Sequence, residues 1–349
     1  MHEPSQSTGP TCAPSLILSL GPGTSLPWWW DEVHRDSGLC QLSYQRITVR
    51  DKRSKQISTL DLPLLFMKVL RVLLKARSQY AYVFTVENDF NSFAVAFWQT
   101  VLGMRRPRHV ILSFIMRERT TAVSSRAKYA LMRFLFRSVH KAICSARLEA
   151  DYYADVFRWT HGKAQFVPLA TSTSALSEPV ADEGYIFTGG RVYRDYDTLM
   201  RALDGSEHPL VVVSEKDDPA FVGRDRVDAR FQIPVEEFNS LMAKSRIVVV
   251  PLEDRRFSVG QTVILQAMAM GKAVVATRTA ATLDYIAHLQ TGILVSPRDH
   301  AALRQVIDQL MSDKSLREQL GRNAKAHIEK NGLPLHYARS VRYVLASGD

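Results

Sequence analysis

The sequence predicts an α/β protein of two doubly wound, Rossmann-like domains that face each other across a cleft. Short apolar segments of strand length alternate along the chain with longer helical segments, which is typical of βαβ units and a mostly parallel sheet. The alternation pauses at "TSTSALSEPVADE" (171–183), whose small, polar, Pro-containing composition is typical of a linker, and then restarts. With 349 residues, 46% of them hydrophobic, the chain can fill two cores.

In the first half, strands are predicted where apolar residues run together or alternate with polar ones. These segments are "SLILSL" (15–20), "CQLSYQRITVR" (40–50), "YAYVFTVEN" (80–88), "HVILSFIM" (109–116) and "AQFVPLA" (164–170). Helical spacing of apolar residues predicts helices over residues 61–79, 91–103 and 124–157. The segment "GPGTS" (21–25) after the first strand either is a simple turn or also lines the cleft.

In the second half the same alternation predicts six strands. They are "YIFTGG" (185–190), "PLVVVSEK" (209–216), "RFQIP" (230–234), "RIVVVPL" (246–252), "AVVA" (273–276) and "TGILVSP" (291–297). Helices are predicted from residue 197, over residues 236–245 and 281–290, and as a pair over residues 300–329. The stretch "SVGQTVILQAMAMGKAVVAT" (258–277) predicts a helix with a polar start that stops at Gly271 and leads into a buried strand.

The net charge of +10 is concentrated in the first half of the chain. Residues 1–177 hold 23 Lys and Arg against 12 Asp and Glu, whereas the remainder has a net charge of −1. Such asymmetry suggests an acidic partner: a phosphate-bearing substrate, an anionic membrane surface or nucleic acid. Because no nucleic-acid recognition motif accompanies the charge, nucleic acid is not the expected partner.

Cysteine usage and hydropathy suggest a reducing compartment. Cys12, Cys40 and Cys144 lie far apart and predict neither a disulfide framework nor a metal-ligand cluster. No segment has the roughly 18–20 uninterrupted apolar residues that span a bilayer, and the N-terminus lacks a signal-peptide pattern. We expect a cytoplasmic protein whose residues 1–13 form a disordered tail.

Two predicted helices of the first half mix cations with apolar and aromatic residues. The first, in "LPLLFMKVLRVLLKAR", carries Lys68, Arg71 and Lys75 on one side, and the second is "RAKYALMRFLFRSVHKA" (126–142). Helices of this kind can lie on an anionic bilayer, which would place the protein peripherally on the inner face of the membrane. A core helix with a solvated cationic side explains the same pattern, and both interpretations stay open.

An ordered set of segments in the second half carries a family resemblance. "YIFTGGRVYRDYDTLMRAL", a Pro after "VVV", "AMAMGKAVVAT", "TGILVSPRD" and a terminal helix with "LREQLGRNAK" follow one another over about residues 184–330. In this order they resemble the nucleotide-sugar domain of the family-four (group 1) glycosyltransferases of GT-B fold. The resemblance implies an acceptor-binding domain over residues 1–170, a linker over 171–183, a donor-binding domain over 184–331, and a segment over 332–349 that crosses back to the first domain.

The resemblance and the chemistry of a diphosphate leaving group single out the same residues. Departure of a nucleoside diphosphate builds negative charge, which fixed cations and helix N-terminal N–H groups stabilise. Arg191, after the first strand of the second half, is the predicted clamp, and Lys216 and Arg194 are further cations. We predict catalytic roles for Arg191, Gln261 and Glu118. The predicted donor-binding residues are Gly190, Arg191, Lys216, Ile233, Ser258, Val259, Gly260, Gln261, Thr262 and Gln266.

The sequence departs from the family pattern at three places. The family typically has two glutamates separated by seven residues, and these positions hold Ser258 and Gln266 here. Where the family often places a histidine after a strand of the first domain, residues 116–119 contain none, so Glu118 or Arg119 is the candidate there. A divergent active enzyme, a changed donor and a catalytically inactive relative all stay open. Glu253 and Asp254 do not have the spacing of the family's two glutamates, and we interpret them as solvated loop charges.

The expected activity is transfer of a sugar from a nucleotide diphosphate sugar to a hydroxyl group on a glycan, a lipid-linked acceptor or a small molecule. The resemblance implies retention of anomeric configuration and no metal, and no cofactor is expected beyond the donor itself. The alternative is a catalytically inactive subunit that binds sugar nucleotides or glycans.

Overall fold

The computed structural model describes residues 15–20, 42–47, 61–86, 90–116, 118–176, 180–221 and 223–346. The predicted N-terminal tail and the "GPGTS" turn lie outside these residues. Within them, no helix combines the length and the apolar character that a membrane span requires.

Contacts between Cα atoms divide the chain into two compact units. Unit 1 comprises Met1–Cys144, Ala150–Gln165 and Arg342–Asp349, and unit 2 comprises Ser145–Glu149 and Phe166–Val341. The acceptor-binding and donor-binding roles assigned to the two halves stay predictions.

The sheet of unit 1 has six strands in the order β2-β1-β3-β4-β5-β6, and β1 to β5 pair in parallel. The strands are β1 (Ser15–Leu20), β2 (Leu42–Ile47), β3 (Tyr82–Val86), β4 (Arg108–Leu112), β5 (Lys141–Cys144) and β6 (Ala164–Phe166). The helices are α1 (Leu62–Ala76), α2 (Phe90–Val101), α3 (Val123–Leu135) and α4 (Arg147–Phe157), of which residues 147–149 belong to unit 2.

The long helix predicted over residues 124–157 is wrong. Helix α3 ends at Leu135, a short 3-10 turn follows, and the chain then forms β5 before α4 begins at Arg147. All four residues of β5 are buried. A short, fully buried strand shows no alternation, so its apolar residues also fit a helical period.

The core of unit 1 explains why its buried histidine is not a catalytic candidate. His109 is fully buried in β4, and its Nε2 lies 2.9 Å from Thr85 Oγ1. Burial, helped by the charge of Lys163, lowers the pKa of His109 to about 3, so the ring is neutral at physiological pH. We interpret it as a core residue.

The sheet of unit 2 has six parallel strands in the order β12-β11-β10-β7-β8-β9. The strands are β7 (Ile186–Gly190), β8 (Leu210–Ser214), β9 (Val227–Phe231), β10 (Ile247–Val250), β11 (Ala273–Thr277) and β12 (Ile293–Val295). The helices are α5 (Tyr196–Ala202), α6 (Val235–Lys244), α7 (Gln261–Ala269), α8 (His300–Ser312), α9 (Lys314–Asn331) and α10 (Pro334–Ala346).

Two element predictions in unit 2 need correction. The helix predicted over residues 281–290 is reduced to a 3-10 turn at Thr282–Asp284. Thr282 Oγ1 donates to the Thr277 carbonyl (2.8 Å) and accepts the Thr279 N–H (2.8 Å), and such local side-chain bonds compete with helix formation. The strand predicted over residues 230–234 is β9, which ends at Phe231 because Gln232 takes a positive φ of 52°.

Candidate functional site

The strand order of unit 2 locates a ligand crevice between β7 and β10. The connections turn in opposite directions from this pair, and in doubly wound sheets ligands bind outside the carboxyl ends of the strands at such a switch point. The loops that follow these two strands, residues 191–195 and 251–260, are held together. The Asp195 N–H donates to the Pro251 carbonyl (3.2 Å), the Glu253 N–H donates to the Tyr193 carbonyl (3.1 Å), and the rings of Tyr193 and Phe257 pack edge-on at 5.1 Å.

Helix α7 begins at this crevice with an uncapped N-terminus. Gly260 is the N-cap with φ +84°, and because it has no side chain it makes no cap hydrogen bond to the first turn. The first helical bond runs from the Ile264 N–H to the Gly260 carbonyl (3.0 Å), so the preceding N–H groups have no partner inside the helix. A Cβ at residue 260 would lie 3.0 Å from Leu252 Cδ2, so the position favours glycine for both backbone and packing reasons. Such a helix start attracts anions.

Gln261, the first residue of α7, adds a buried donor that lacks an acceptor. Its side chain is 3% exposed, and its Nε2 has no hydrogen-bond partner among the residues that the structure describes. Buried polar groups are almost always bonded, so an orphaned amide next to a helix N-terminus indicates an acceptor that a ligand supplies. Thr262 is exposed and Val259 is buried beside it.

Two arginines near the end of β7, Arg191 and Arg194, differ in burial. Arg191 is exposed. Arg194 is half-buried, and its Nε and one terminal nitrogen donate to the carbonyls of Gly189 and Val192, each at 3.0 Å. Among the described residues no carboxylate pairs with Arg194, and burial lowers the pKa of its guanidinium. A cation that is partly desolvated and lacks a counter-charge is suited to a phosphate.

The position of the Arg194 side chain requires a glycine at residue 190. The φ of Gly190 is +139°, and a Cβ on it would overlap the guanidinium of Arg194. Arg194 also forms an isolated bridge with Leu252, the residue on which Gly260 packs. A chain of contacts therefore connects the cation to the start of α7.

Two of the predicted donor-binding residues, Lys216 and Ile233, follow strands β8 and β9. Lys216 is exposed, and its carbonyl accepts from Ser214 Oγ (2.6 Å). Ile233 is half-buried and follows Gln232, whose N–H donates to the Ser214 carbonyl (3.2 Å). These bonds fix the segments after the two strands beside each other.

Ser258 and Gln266 are both bonded to side chains that sequence reasoning missed. The Ser258 N–H donates to Glu149 Oε1 (2.6 Å), and its Oγ donates to Oε2 (2.9 Å). Gln266 Nε2 donates to Asn239 Oδ1 of α6 at 2.7 Å. Glu149 is 109 residues away from Ser258 in sequence, and neither partner carried a motif. Only the fold brings these pairs together.

Glu118 and Arg119 follow β4 in unit 1, whereas the residues above belong to unit 2. Glu118 is half-buried, and the Arg119 N–H donates to the Tyr152 hydroxyl (2.8 Å). Their predicted roles stay predictions. Glu253 pairs with Arg255, which agrees with a surface role for that acid. The described part of the chain contains no cluster of three or more His, Cys, Asp or Glu side chains suited to a metal ion.

Comparison with known proteins identifies a family match in the second half of the chain. Residues 190–313 match the family model "Glycosyl transferases group 1". The resemblance to the group 1 glycosyltransferases that the sequence analysis found is confirmed over this segment. The crevice, the α7 start and the loop after β7 all lie within or at the edge of the matched segment.

Two curated glycosyltransferases align with parts of the chain. The D-rhamnosyltransferase WbpZ of Pseudomonas aeruginosa is 25% identical over 251 residues, which cover 65% of this chain and 64% of that protein. The capsular polysaccharide biosynthesis glycosyltransferase CapM of Staphylococcus aureus is 27% identical over 96 residues, 28% of this chain and 23% of that protein. The chain thus spans less than two thirds of either relative.

Solved structures show that the fold is GT-B. The sucrose-phosphate synthase of Thermosynechococcus elongatus superposes with a TM-score of 0.71 at 16% identity, covering 96% of this chain and 98% of that one. Anabaena Alr3699/HepE, solved in complex with UDP, superposes with a TM-score of 0.67 at 14% identity, covering 96% and 100%. The predicted fold class, two doubly wound domains of GT-B type, is confirmed.

Proposed function

We propose that this protein is a glycosyltransferase that moves a sugar from a nucleoside diphosphate sugar to a hydroxyl group of an acceptor. The observation that carries the proposal is the start of α7 with the buried amide of Gln261, connected through Leu252 to the guanidinium of Arg194. Among the described residues, the Gln261 amide nitrogen has no hydrogen-bond partner and Arg194 has no carboxylate partner. All three lie at the switch point of the sheet, where a doubly wound fold binds its ligand.

The arrangement fits the charge that develops when the glycosidic bond breaks. Negative charge then grows on the departing phosphate oxygen, and fixed cations and oriented N–H groups stabilise it without reorganising. Arg194, with Arg191 and Lys216 as exposed neighbours, would hold the diphosphate, and Gln261 and Thr262 would bond phosphate or sugar oxygens. Gln266 and Asn239 would hold the ribose, and backbone groups near Ile233 would read the base.

Retention of configuration, independence of metal ions and a contribution of Glu118 or Arg119 from unit 1 are parts of this proposal that rest on the family resemblance. The donor to test first is UDP-glucose, because Alr3699/HepE was solved in complex with it. Isothermal titration calorimetry against UDP, GDP and ADP sugars would identify the donor, and release of nucleoside diphosphate with candidate acceptors would show transfer. Failure of every nucleotide to bind would contradict the proposal.

A non-catalytic subunit that binds sugar nucleotides is the second candidate. It is favoured by one observation: Ser258 and Gln266 are neutral, and both are bonded to side chains of the protein. Tight donor binding without release of diphosphate, across a broad acceptor panel and with no slow hydrolysis of the donor, would support this candidate over the enzyme.

We further propose that unit 1 contacts an anionic membrane surface, which would suit a lipid-linked acceptor. Cations and exposed apolar side chains share the outer sides of α1 and α3, and neither helix contains an acidic residue. Leu131 and Phe134 of α3 are 54% and 50% exposed, and the Arg137 guanidinium lies 4.4 Å from the centre of the Phe134 ring. The same combination on α1 is formed by Leu64, Met67 and Leu74 with Lys68, Arg71 and Lys75.

Cosedimentation with vesicles tests this surface. We expect binding to vesicles of phosphatidylglycerol and phosphatidylcholine, weakening with salt, and background binding to phosphatidylcholine alone. Arg133→Glu on α3 should weaken binding, whereas the matched reversal Arg322→Glu on α9 of unit 2 should not. Equal binding to both vesicle types, or equal effects of the two variants, would contradict a specific surface.

A further inference from the structure

Glu149 is a buried carboxylate that the proposed chemistry does not use. It lies in the first turn of α4 and is 1% exposed. Hydrogen bonds reach its oxygens from the Ser258 N–H (2.6 Å), the Ser258 hydroxyl (2.9 Å) and the Ser145 N–H (3.2 Å), and the Ala146 N–H also interacts with it. Burial raises the pKa of Glu149, and these hydrogen bonds oppose the rise. A buried carboxylate is costly, so one that is so fully bonded has a specific task.

That task concerns the loop of residues 251–260. Near its beginning the loop is tied by the Leu252 N–H, which donates to Thr277 Oγ1 at 2.8 Å. At its end the ties to Glu149 occur at Ser258, two residues before the Gly260 cap. Only Val259 and Gly260 stand between Ser258 and the first residue of α7, so the hydrogen bonds at Ser258 hold the chain immediately before the helix start.

The segment that carries the Glu149 carboxylate is itself held in place by hydrogen bonds. The Tyr285 hydroxyl donates to the Ser145 carbonyl (2.6 Å) and accepts the Leu169 N–H (3.1 Å). Asp284 accepts the Arg147 N–H (2.8 Å) and pairs with the Arg147 guanidinium (3.2 Å). Through these bonds the segment Ser145–Glu149, which belongs to unit 2, is anchored to the chain after β11.

We infer that Glu149 is a positioning residue for the donor site. It holds Ser258, and through Ser258 it sets the place of the α7 start, where the free N–H groups and the Gln261 amide meet the diphosphate sugar. Glu149 does not contact the donor. The inference rests on the proposed function for its ligand, but the ordering of the loop is a property of the protein alone.

The test compares three variants with the wild type in two measurements. Hydrogen–deuterium exchange of a peptide covering residues 256–264 reports the order of the loop, and calorimetry with UDP and UDP-glucose reports affinity. Glu149→Ala should speed the exchange and raise Kd by roughly tenfold or more, because hydrogen bonds to a charged group are lost. Glu149→Gln still offers an oxygen to the Ser258 N–H and an amide to its hydroxyl, but that amide cannot accept the Ser145 N–H, so Kd should rise by less than in Glu149→Ala. Ser258→Ala keeps the main-chain hydrogen bond to Glu149, so its exchange rate and its Kd should lie between those of Glu149→Gln and Glu149→Ala.

A merely structural role predicts a different outcome. Glu149→Ala would then lower the melting temperature while the folded protein kept wild-type exchange over residues 256–264 and wild-type Kd, and that result overturns the inference. Glu253→Gln is the matched control, since it removes a carboxylate charge from the same loop at a side chain that is 40% exposed, and it should change neither readout. If Glu149→Ala fails to fold, Ser258→Ala still tests the inference, because wild-type exchange and wild-type affinity in that variant contradict it.

The two proposals can fail separately. If the wild type binds no nucleotide, the proposed function fails, and faster exchange in Glu149→Ala still supports the positioning of α7. If the wild type binds UDP and both readouts are unchanged in Glu149→Ala, the positioning role fails while the proposed function stands.

Discussion

Replacing Arg194 by alanine is the sharpest test of how the crevice holds a diphosphate. The Arg194 side chain is half-buried near the end of β7 and donates hydrogen bonds to the carbonyls of Gly189 and Val192. Gly190, which has no side chain, leaves room for the guanidinium. If it also bonds a phosphate, Arg194→Ala removes a charge-assisted interaction of about 1.5–3 kcal/mol. That loss corresponds to a roughly 10- to 150-fold rise in the Kd of UDP and UDP-glucose.

The same variant also carries a stability cost that must be separated from the binding effect. Two hydrogen bonds to carbonyls disappear, each contributing about 0.5–1.5 kcal/mol, so the melting temperature should fall by a few degrees. Calorimetry is therefore done well below the transition, with uridine as a second ligand. Uridine has no phosphate, so its affinity should not change.

Arg191→Ala is the matched control, because Arg191 lies three residues away and is exposed. Its loss should raise the Kd of UDP by less than about threefold, as is typical of screened, exposed charges. A large effect of Arg191→Ala together with none of Arg194→Ala would reverse the assignment and restore the clamp that the sequence predicted. Unchanged UDP affinity in both variants would refute a diphosphate at the end of β7.

Three further changes test other contacts. Gly260→Ala forces a side chain into φ +84° with its Cβ 3.0 Å from Leu252 Cδ2, so the free energy of unfolding, measured in urea, should fall by about 1–3 kcal/mol; an unchanged midpoint would contradict the packing. Gln266→Glu keeps an acceptor for ribose, and the Asn239 amide can flip to donate to it, so the Kd of UDP should stay within about threefold; a loss above tenfold would remove residue 266 from the ribose site. Phe134→Glu adds a negative charge to the exposed side of α3 and should reduce cosedimentation with anionic vesicles several-fold, whereas equal binding would contradict the membrane surface.

The fold class and most elements were predictable because helical and strand periods differ. The predictions failed where that signal is weak. The buried β5 shows no alternation and merged with its neighbours into one long helix. In residues 281–290 the apolar spacing suits a helix, but Thr282 bonds the backbone locally and stops it.

The site was predictable only as far as it is local in sequence. The start of α7 follows from a Gly after a polar loop and an apolar helical pattern, and the structure places Gly260 and Gln261 as N-cap and first helical residue. The partners of Ser258 and Gln266 come from α4 and α6, and no periodicity predicts which distant residue meets them. The choice between Arg191 and Arg194 depends on burial and on the space at Gly190, which are tertiary properties.

Neutral side chains around α7 have an electrostatic consequence for the proposed ligand. A carboxylate about 6 Å from a phosphate charge would cost about 3 kcal/mol at an effective dielectric constant of 20. Gln261, Gln266 and Asn239 offer hydrogen bonds without that repulsion, and none of them titrates between about pH 5 and 9. Glu149 is the acid bonded to the loop, and its protonated form, like Glu149→Gln, still accepts from the Ser258 N–H. A change in UDP affinity over this range should therefore follow the ionisation of the diphosphate rather than that of these residues.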